Sequence, residues 1–502
     1  MISITLSKFV CASLVVLSTV PFVSAQKGND LLNRGFWKEK PTLDVVKQKV
    51  AEGHDPAQID RAQYDATSLA INGDASNDII LYLLEQKGND VNKKTHDGRT
   101  YMFWATMKGN FEVMEYLLKK GANLKHVDEK GSSVIVYNAM NGNKNTKVYD
   151  FLEANGVSIK NERNKAGASL LLLISSHLKS LDEAQYFIKK GNALTDVDDN
   201  GYNIFAYASK GGNRDFCEEL IKSGIDSKAI AKDGGNVFMM ATQFGRGAGN
   251  TLEFYHYLES LGNTPNTNTV DGMNPLHILA RFKDHATIAF FIQKGCDVNM
   301  VNKEGNTPLM LAAGGQQNLD IFNLFFEKGS KWNHKNNEGQ TALTLAIMNN
   351  STEVATLLIG AGASVTAIDN DGNSLSYYLV RYFKNKEDYA SKLKMLYTFG
   401  FKHNLTQGKG NTLYHVAVRE RKLELLPIIA EDKSIDLNAL NEDGMAPLHL
   451  AASSDTTGKF ITSLIELGAD KNVTTEFGET AYELAAENEL LQVNGVDYSF
   501  LK

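Results

Sequence analysis

Cysteine and proline are both scarce, and each shortage excludes something. Only 3 cysteines occur in 502 residues, so a framework of disulfides is not expected. Eight prolines leave no room for long proline-rich linkers. Positive charge is not in excess either: 52 Lys and Arg stand against 59 Asp and Glu, interspersed, for a net charge of -7. A nucleic-acid partner would call for a basic face, and none is expected here. The motifs of common chemistry are missing too. There is no H-E-x-x-H, C-x-x-C or G-x-S-x-G, and no histidine pair has metal-ligand spacing. Gly245-Arg246-Gly247-Ala248-Gly249 is glycine-rich, but no strand precedes it, so it reads as a flexible insertion rather than a nucleotide site. No cofactor and no metal are expected, and the chain is not expected to be an enzyme.

The first 25 residues differ from the rest. Lys8 gives a positive start, an apolar run follows from Phe9 to Val20, and Val23-Ser24-Ala25 places small residues before Gln26. This is the pattern of a secretory signal peptide cleaved after Ala25. The run is shorter than the roughly 20 residues a membrane span needs. Cys11 follows Val10 rather than a small residue, which argues against lipid attachment. The expectation is an exported chain, periplasmic or secreted, with no transmembrane segment after cleavage.

Cys217 and Cys296 then remain. They fall two repeats apart in the pattern described next. Helical layers pack about 8–10 Å apart, beyond the roughly 7 Å that a disulfide can bridge. Both are expected to be small buried apolar side chains.

What the chain has is glycine at a fixed beat. Gly98, Gly131, Gly167, Gly201, Gly234, Gly272, Gly305, Gly339, Gly372, Gly410, Gly444 and Gly478 recur at steps of 33 to 38 residues. A second series trails by about 23: Gly121, Gly156, Gly191, Gly224, Gly262, Gly295, Gly329, Gly362 and Gly468, with Gly400 trailing by 28. None falls between Gly410 and Gly444. The first glycine of each pair suits a tight turn and the second a left-handed helix end. Between them lie two apolar-periodic runs of helical length, as at Phe111–Leu118. A period in this range marks a repeat array.

Asn306-Thr307-Pro308-Leu309-Met310-Leu311-Ala312-Ala313, Met445-Ala446-Pro447-Leu448-His449-Leu450-Ala451-Ala452 and Asn274-Pro275-Leu276-His277 resemble the T-P-L-H core of ankyrin repeats. Gly295-Cys296-Asp297-Val298-Asn299 and Gly468-Ala469-Asp470 resemble the segment that closes each repeat. The resemblance runs from about residue 36 to 502. It implies an all-α solenoid of helix-turn-helix units with β-hairpin-like finger turns, roughly 13 units in all. The expected organisation is a signal peptide at 1–25, an N-terminal capping unit at 26–64, the array at 65–474 and a C-terminal cap at 475–502. Leu43–Gly53 reads as a lone second helix in the first cap. The resemblance also implies that His277, His415 and His449 bond backbone between units.

Units around Gly131, Gly167, Gly201, Gly234 and Gly372 lack the Thr-Pro-Leu-His core, so they are expected to stack less regularly or curve differently. Those between Gly131 and Gly234 are expected to open first. Two insertions are expected between helices, at 245–249 and 382–388. The acids before the turn glycines, among them Asp97, Asp233, Asp271, Glu304, Glu338, Asp371 and Asp443, read as turn formers rather than as metal ligands or a catalytic pair.

The resemblance implies partner proteins, of no identity given by the sequence, held by finger tips and by the concave groove of the first helices. Groove positions fall nine and ten residues after each turn glycine. They place Met107, Lys108, Lys210, Gln243 and Glu420 there, and they pair Arg with an aromatic or a second charged group. Arg beside an aromatic is a favoured interface composition. Phe244, Arg281, Phe282, Arg381, Tyr382 and Arg419 are therefore the candidate partner-binding patch, suited also to anionic partners. The function expected is an exported scaffold for protein–protein interaction. The alternatives are a secreted effector acting on host proteins and a non-catalytic accessory to an envelope enzyme.

Overall fold

The computed structural model describes residues 28–243, 249–281 and 284–502. The expected signal peptide, Phe244, Phe282 and most of the glycine-rich insertion lie outside them. The described chain forms two compact units, one of residues 28–138 with 145–157, the other of 139–144 with 158–502.

Both units are built from pairs of short helices, fourteen pairs among the described residues, with no strand element. Each finger instead closes on an isolated bridge or a turn, as at Val127 with Ser133 and Val197 with Asn203. The all-α repeat fold follows from local chemistry. In the helix Pro308–Ala313, Thr307 caps the start by accepting from the Met310 N–H at 3.3 Å. Pro308 sits where its missing N–H is not needed. Leu309, Met310, Ala312 and Ala313 are buried, and the helix packs against its successor Ala342–Asn349. Replacing a buried leucine such as Leu309 with alanine costs about 2–5 kcal/mol.

Every glycine of both series takes positive φ. At Gly272 (φ 73) a side chain would be doubly wrong, because an added Cβ would collide with the Val301 carbonyl of the next finger.

Repeats are joined by three kinds of polar staple. In the first, a finger N–H donates to the carbonyl just before the preceding turn glycine: Asn337 to Glu304 at 3.1 Å and Glu442 to Lys409 at 2.9 Å. In the second, an asparagine bridges two repeats. Asn333 donates to the Gly362 carbonyl at 3.0 Å and accepts from the Ser364 N–H at 2.9 Å. In the third, a buried asparagine closes the end of a first helix, as Asn350 does on the Ala313 and Gln316 carbonyls, both at 2.9 Å.

Four expectations need correction. The first cap is a helix pair, because Arg34–Lys38 precedes Leu43–Ala51 and buries Trp37. The insertion at 382–388 lies only in part between the helices: 382–385 join them, and 386–388 open the following helix, Lys386–Thr398, which has 13 residues where most other second helices have 9. The turn acids shape the turns only in part: Asp233 Oδ1 accepts from the Gly235 N–H at 2.9 Å and Asp97 holds φ 56. Elsewhere the residue three before the glycine closes the turn, as where Asn336 Oδ1 accepts from the Glu338 and Gln340 N–H groups at 3.1 and 2.9 Å. Asp97, Asp233, Glu304 and Glu338 also supply a backbone carbonyl to the next finger.

Finally, three of the units without the Thr-Pro-Leu-His core, those at Gly167, Gly201 and Gly234, hold the next finger by the same bond. Asp199 N–H reaches the Ala166 carbonyl at 2.8 Å, and Lys232 N–H reaches Asn200 at 2.6 Å. Other residues replace the missing threonine as caps, Asn203 on Ala206 N–H at 3.1 Å among them.

Candidate functional site

The recurring histidine chemistry of the repeat core is structural. His415 Nδ1 accepts from the Thr412 N–H at 3.1 Å, and its Nε2 donates to the Met445 carbonyl of the next finger at 2.8 Å. His449 does the same between Ala446 and Val473, at 3.0 and 2.8 Å, and His277 between Asn274 and Asn306, at 3.1 and 3.2 Å. A ring that accepts at one nitrogen and donates at the other must be neutral. Burial enforces this and pushes His415 down to about 4. His277 and His449 are also lowered, for the same reason.

Cys217 and Cys296 are free and buried, and burial raises both thiols to about 12. They are inert at neutral pH. Among the described residues no three His, Cys, Asp or Glu side chains converge to hold a metal, and no helix is long and apolar enough to cross a membrane.

The candidate binding residues separate into two places. Arg281 follows the C-cap of the helix Pro275–Leu279 and lies across Gly315 of the next repeat, where an added Cβ would collide with Arg281 Nε. Its guanidinium therefore rests on a glycine shelf. It rims an open groove of about 570 Å³ floored by Met310, Leu311 and Leu345 and edged by Lys303 and Asn349.

Arg381, Tyr382 and Arg419 meet three repeats later. Arg381 donates to the Tyr377 hydroxyl one helical turn back and stands 5.7 Å from that ring and 5.9 Å from Tyr382. Arg419, from the next repeat, stands 6.0 Å from the Tyr377 ring. One aromatic thus aligns two guanidiniums by cation–π attraction. Glu420 lies between them, 3.9 Å from Arg381 Nε and 4.0 Å from Arg419 Nε, beyond hydrogen-bond reach of either. The Tyr382 ring stacks on Tyr378 at 6.3 Å.

Tyr377 is absent from the sequence-derived patch, although its i, i+4 relation to Arg381 on one helix is a readable signal. The earlier groove positions serve local contacts. Lys108 pairs with Asp74 at 2.8 Å, and Lys210 stands 5.8 Å from the Tyr207 ring.

A family profile described as "Ankyrin repeats (3 copies)" matches residues 38–128, 238–336, 313–393 and 379–475, more than half of the chain. The chain is 24% identical to the human transient receptor potential cation channel subfamily A member 1, over 86% of its own length and 36% of the channel's. It is 29% identical to neurogenic locus notch homolog protein 1 of Xenopus tropicalis, over 40% of its own length and 7% of that protein's. The chain therefore spans well under half the length of these relatives. Among solved structures, the human ASB11 ankyrin repeat domain matches with a TM-score of 0.37 at 20% identity, covering 44% of this chain and 97% of that domain.

Proposed function

We propose, from the premise that the chain belongs to the ankyrin-repeat family, that it is a non-catalytic scaffold exported from the cytoplasm, where it captures a partner protein in the groove of its first helices. Repeat arrays of this kind offer long continuous binding surfaces. The supporting observation is the convergence of Arg381, Tyr382 and Arg419 around Tyr377, with Arg281 braced on Gly315 in the neighbouring groove. Aromatic and arginine side chains held in place before a partner arrives lose little freedom on binding.

The test compares the purified protein with a variant carrying Arg281→Ala, Arg381→Ala and Arg419→Ala, each as bait for the proteins of its source. Circular dichroism checks that both fold. The reading expects partners captured by the first and lost by the second. An identical captured set would end the groove assignment. Export is tested separately by intact-mass analysis of the protein after expression. A chain starting at Gln26 agrees with cleavage, and a retained Met1 overturns it.

A further inference from the structure

The chemistry of the partner can be read one step further at the Arg381–Arg419 end of the groove, and this step rests on the groove reading above. Arg419 has a second role there. Together with Arg421, Val418, Leu450, Ser454 and Phe460 it lines a cavity of about 140 Å³. Val418, Leu450 and Phe460 make its walls apolar. An apolar cavity near 150 Å³ admits a group the size of benzene, so this one accepts a single aliphatic side chain. One wall of the cavity is thus the same arginine that faces Arg381 across Tyr377.

The charges around this corner are unequal. Arg381, Arg419 and Arg421 face two carboxylates, Glu420 and Asp455. Asp455 is turned inward: Oδ1 accepts from the Thr457 N–H at 2.9 Å and Oδ2 from the Phe460 N–H at 2.8 Å, so it caps the following turn and helix. Glu420 sits between the two guanidiniums without hydrogen-bonding either. The Arg381 and Arg419 side chains are 46% and 45% exposed, which leaves their outer N–H edges open to an incoming anion.

Arg421 adds an independent observation. It holds φ 54, the left-handed conformation that Gly109, Gly142 and Gly212 take after the first helices of their own repeats. Glycine enters that region without steric cost, and arginine does not. Backbone held in such a region gathers where a side chain is needed for function. Here it puts a guanidinium on the rim of the cavity.

We propose that this corner binds an acidic stretch of polypeptide in which an Asp or Glu side chain stands next to an aliphatic one. The carboxylate bridges Arg381 and Arg419, and the aliphatic side chain enters the cavity between Val418, Leu450 and Phe460. Tyr377 is the positioning residue that keeps the two guanidiniums facing the same carboxylate. A guanidinium pair on one carboxylate gives charge-assisted, directional hydrogen bonds.

The test is fluorescence anisotropy of labelled 12-residue peptides, amidated at the C-terminus so that side chains supply every carboxylate. A peptide carrying repeated Glu-Leu pairs is compared with Gln-Leu and Glu-Ser versions on the purified full chain. The expected result is saturable, salt-weakened binding of the Glu-Leu peptide, with both others at least tenfold weaker. The double variant Arg381→Ala with Arg419→Ala is expected to lose at least tenfold in affinity, and Tyr377→Leu to lose less. Arg421→Gly is expected to raise Tm and yet weaken binding, an outcome that general unfolding cannot imitate. Equal binding of the Gln-Leu peptide, no saturable binding, or unchanged affinity in the double variant or in Arg421→Gly would overturn the proposal. If partner capture is lost in the triple groove variant while acidic peptides fail to bind, only this proposal falls. If capture ignores the triple variant, the groove reading falls with it.

Discussion

The Tyr378 hydroxyl donates to Asp369 Oδ2 at 2.6 Å, tying the first helix of its repeat to its own finger. Asp369 Oδ1 meanwhile accepts from the Asp371 and Asn373 N–H groups at 2.9 and 2.8 Å and so closes the finger turn. One carboxylate thus serves both ends of the tie. Tyr207 and Asp198 repeat the arrangement at 2.8 Å, and Trp104 Nε1 reaches Thr95 Oγ1 at 2.9 Å in the other unit. None of these repeats has the core histidine. Tyr378→Phe leaves the turn intact and removes the tie, together with the 3.3 Å bond that the hydroxyl accepts from Gln340 Nε2 of the preceding repeat. Loss of a hydrogen bond to a charged acceptor that water can partly reach should cost about 1–2 kcal/mol. Urea unfolding of the variant checks this, with a lower midpoint expected at unchanged slope.

The neutral histidines give a pH dependence of known sign. Burial holds His415 at about 4 in the fold, against roughly 6.5 in an unfolded chain. As pH falls through 6.5 the unfolded chain takes up the proton and the fold does not. Stability is therefore full above 6.5 and drains away down to about 4. The difference for this one group is about 3 kcal/mol. His277 and His449 shift in the same direction. The urea midpoint should fall between pH 7 and 4.5. His415→Gln, which cannot titrate, should lower the midpoint at pH 7 and flatten this acid limb. A limb just as steep in the variant would show that other groups carry it.

The architecture was legible in the sequence wherever backbone geometry dictates residue type. Positive φ demands glycine, and both glycine series stand in that region. The histidines were legible for the same reason, since one position serves one pair of backbone partners. The turn side chains were not. Asn336 and Asp369 sit in loops already crowded with Asn and Asp, where composition alone does not single out the side chain that closes the turn. The helix Arg34–Lys38 is too short to show a period. The longer helix at 386–398 was hidden by its charged sequence, although Lys392 is buried there, donating to the Ile347 carbonyl at 3.0 Å with Asp388 beside it at 3.0 Å. At the candidate site the arginines were legible from repeat register. The pairing of Tyr377 with Arg381 was readable from their i, i+4 spacing, but its contact with Arg419 was not, because contacts across repeats depend on side-chain direction as well as on register.

The asparagine bridges predict a local effect. Asn333 satisfies a carbonyl and an N–H of the next repeat at once, and both partners are exposed enough for water to replace it in part. Asn333→Ala should cost about 1 kcal/mol. It should speed hydrogen exchange at Ser364 and its neighbours while leaving repeats beyond the adjacent pair unchanged, because each repeat touches only its neighbours. Faster exchange throughout the second unit would mean that it opens as a single body.

Which repeat opens first is set by how much helix each can form. Repeats between Gly131 and Gly234 depart most from the ankyrin pattern, yet each keeps its helix pair, and the fingers at Gly167, Gly201 and Gly234 each hold the next finger. The repeat after Gly410 is different. It lacks the second glycine, and its second helix is reduced to a 3₁₀ turn, Leu423–Leu425, followed by Leu426–Ile429. Pro427 removes one N–H from that short segment. Four residues cannot sustain helix by themselves, so this segment depends on Leu425, Leu426 and Ile429 staying buried. Amides of 423–430 should therefore exchange before those of 134–222. Exchange in the opposite order would show that departure from the repeat pattern, rather than helix length, sets local stability.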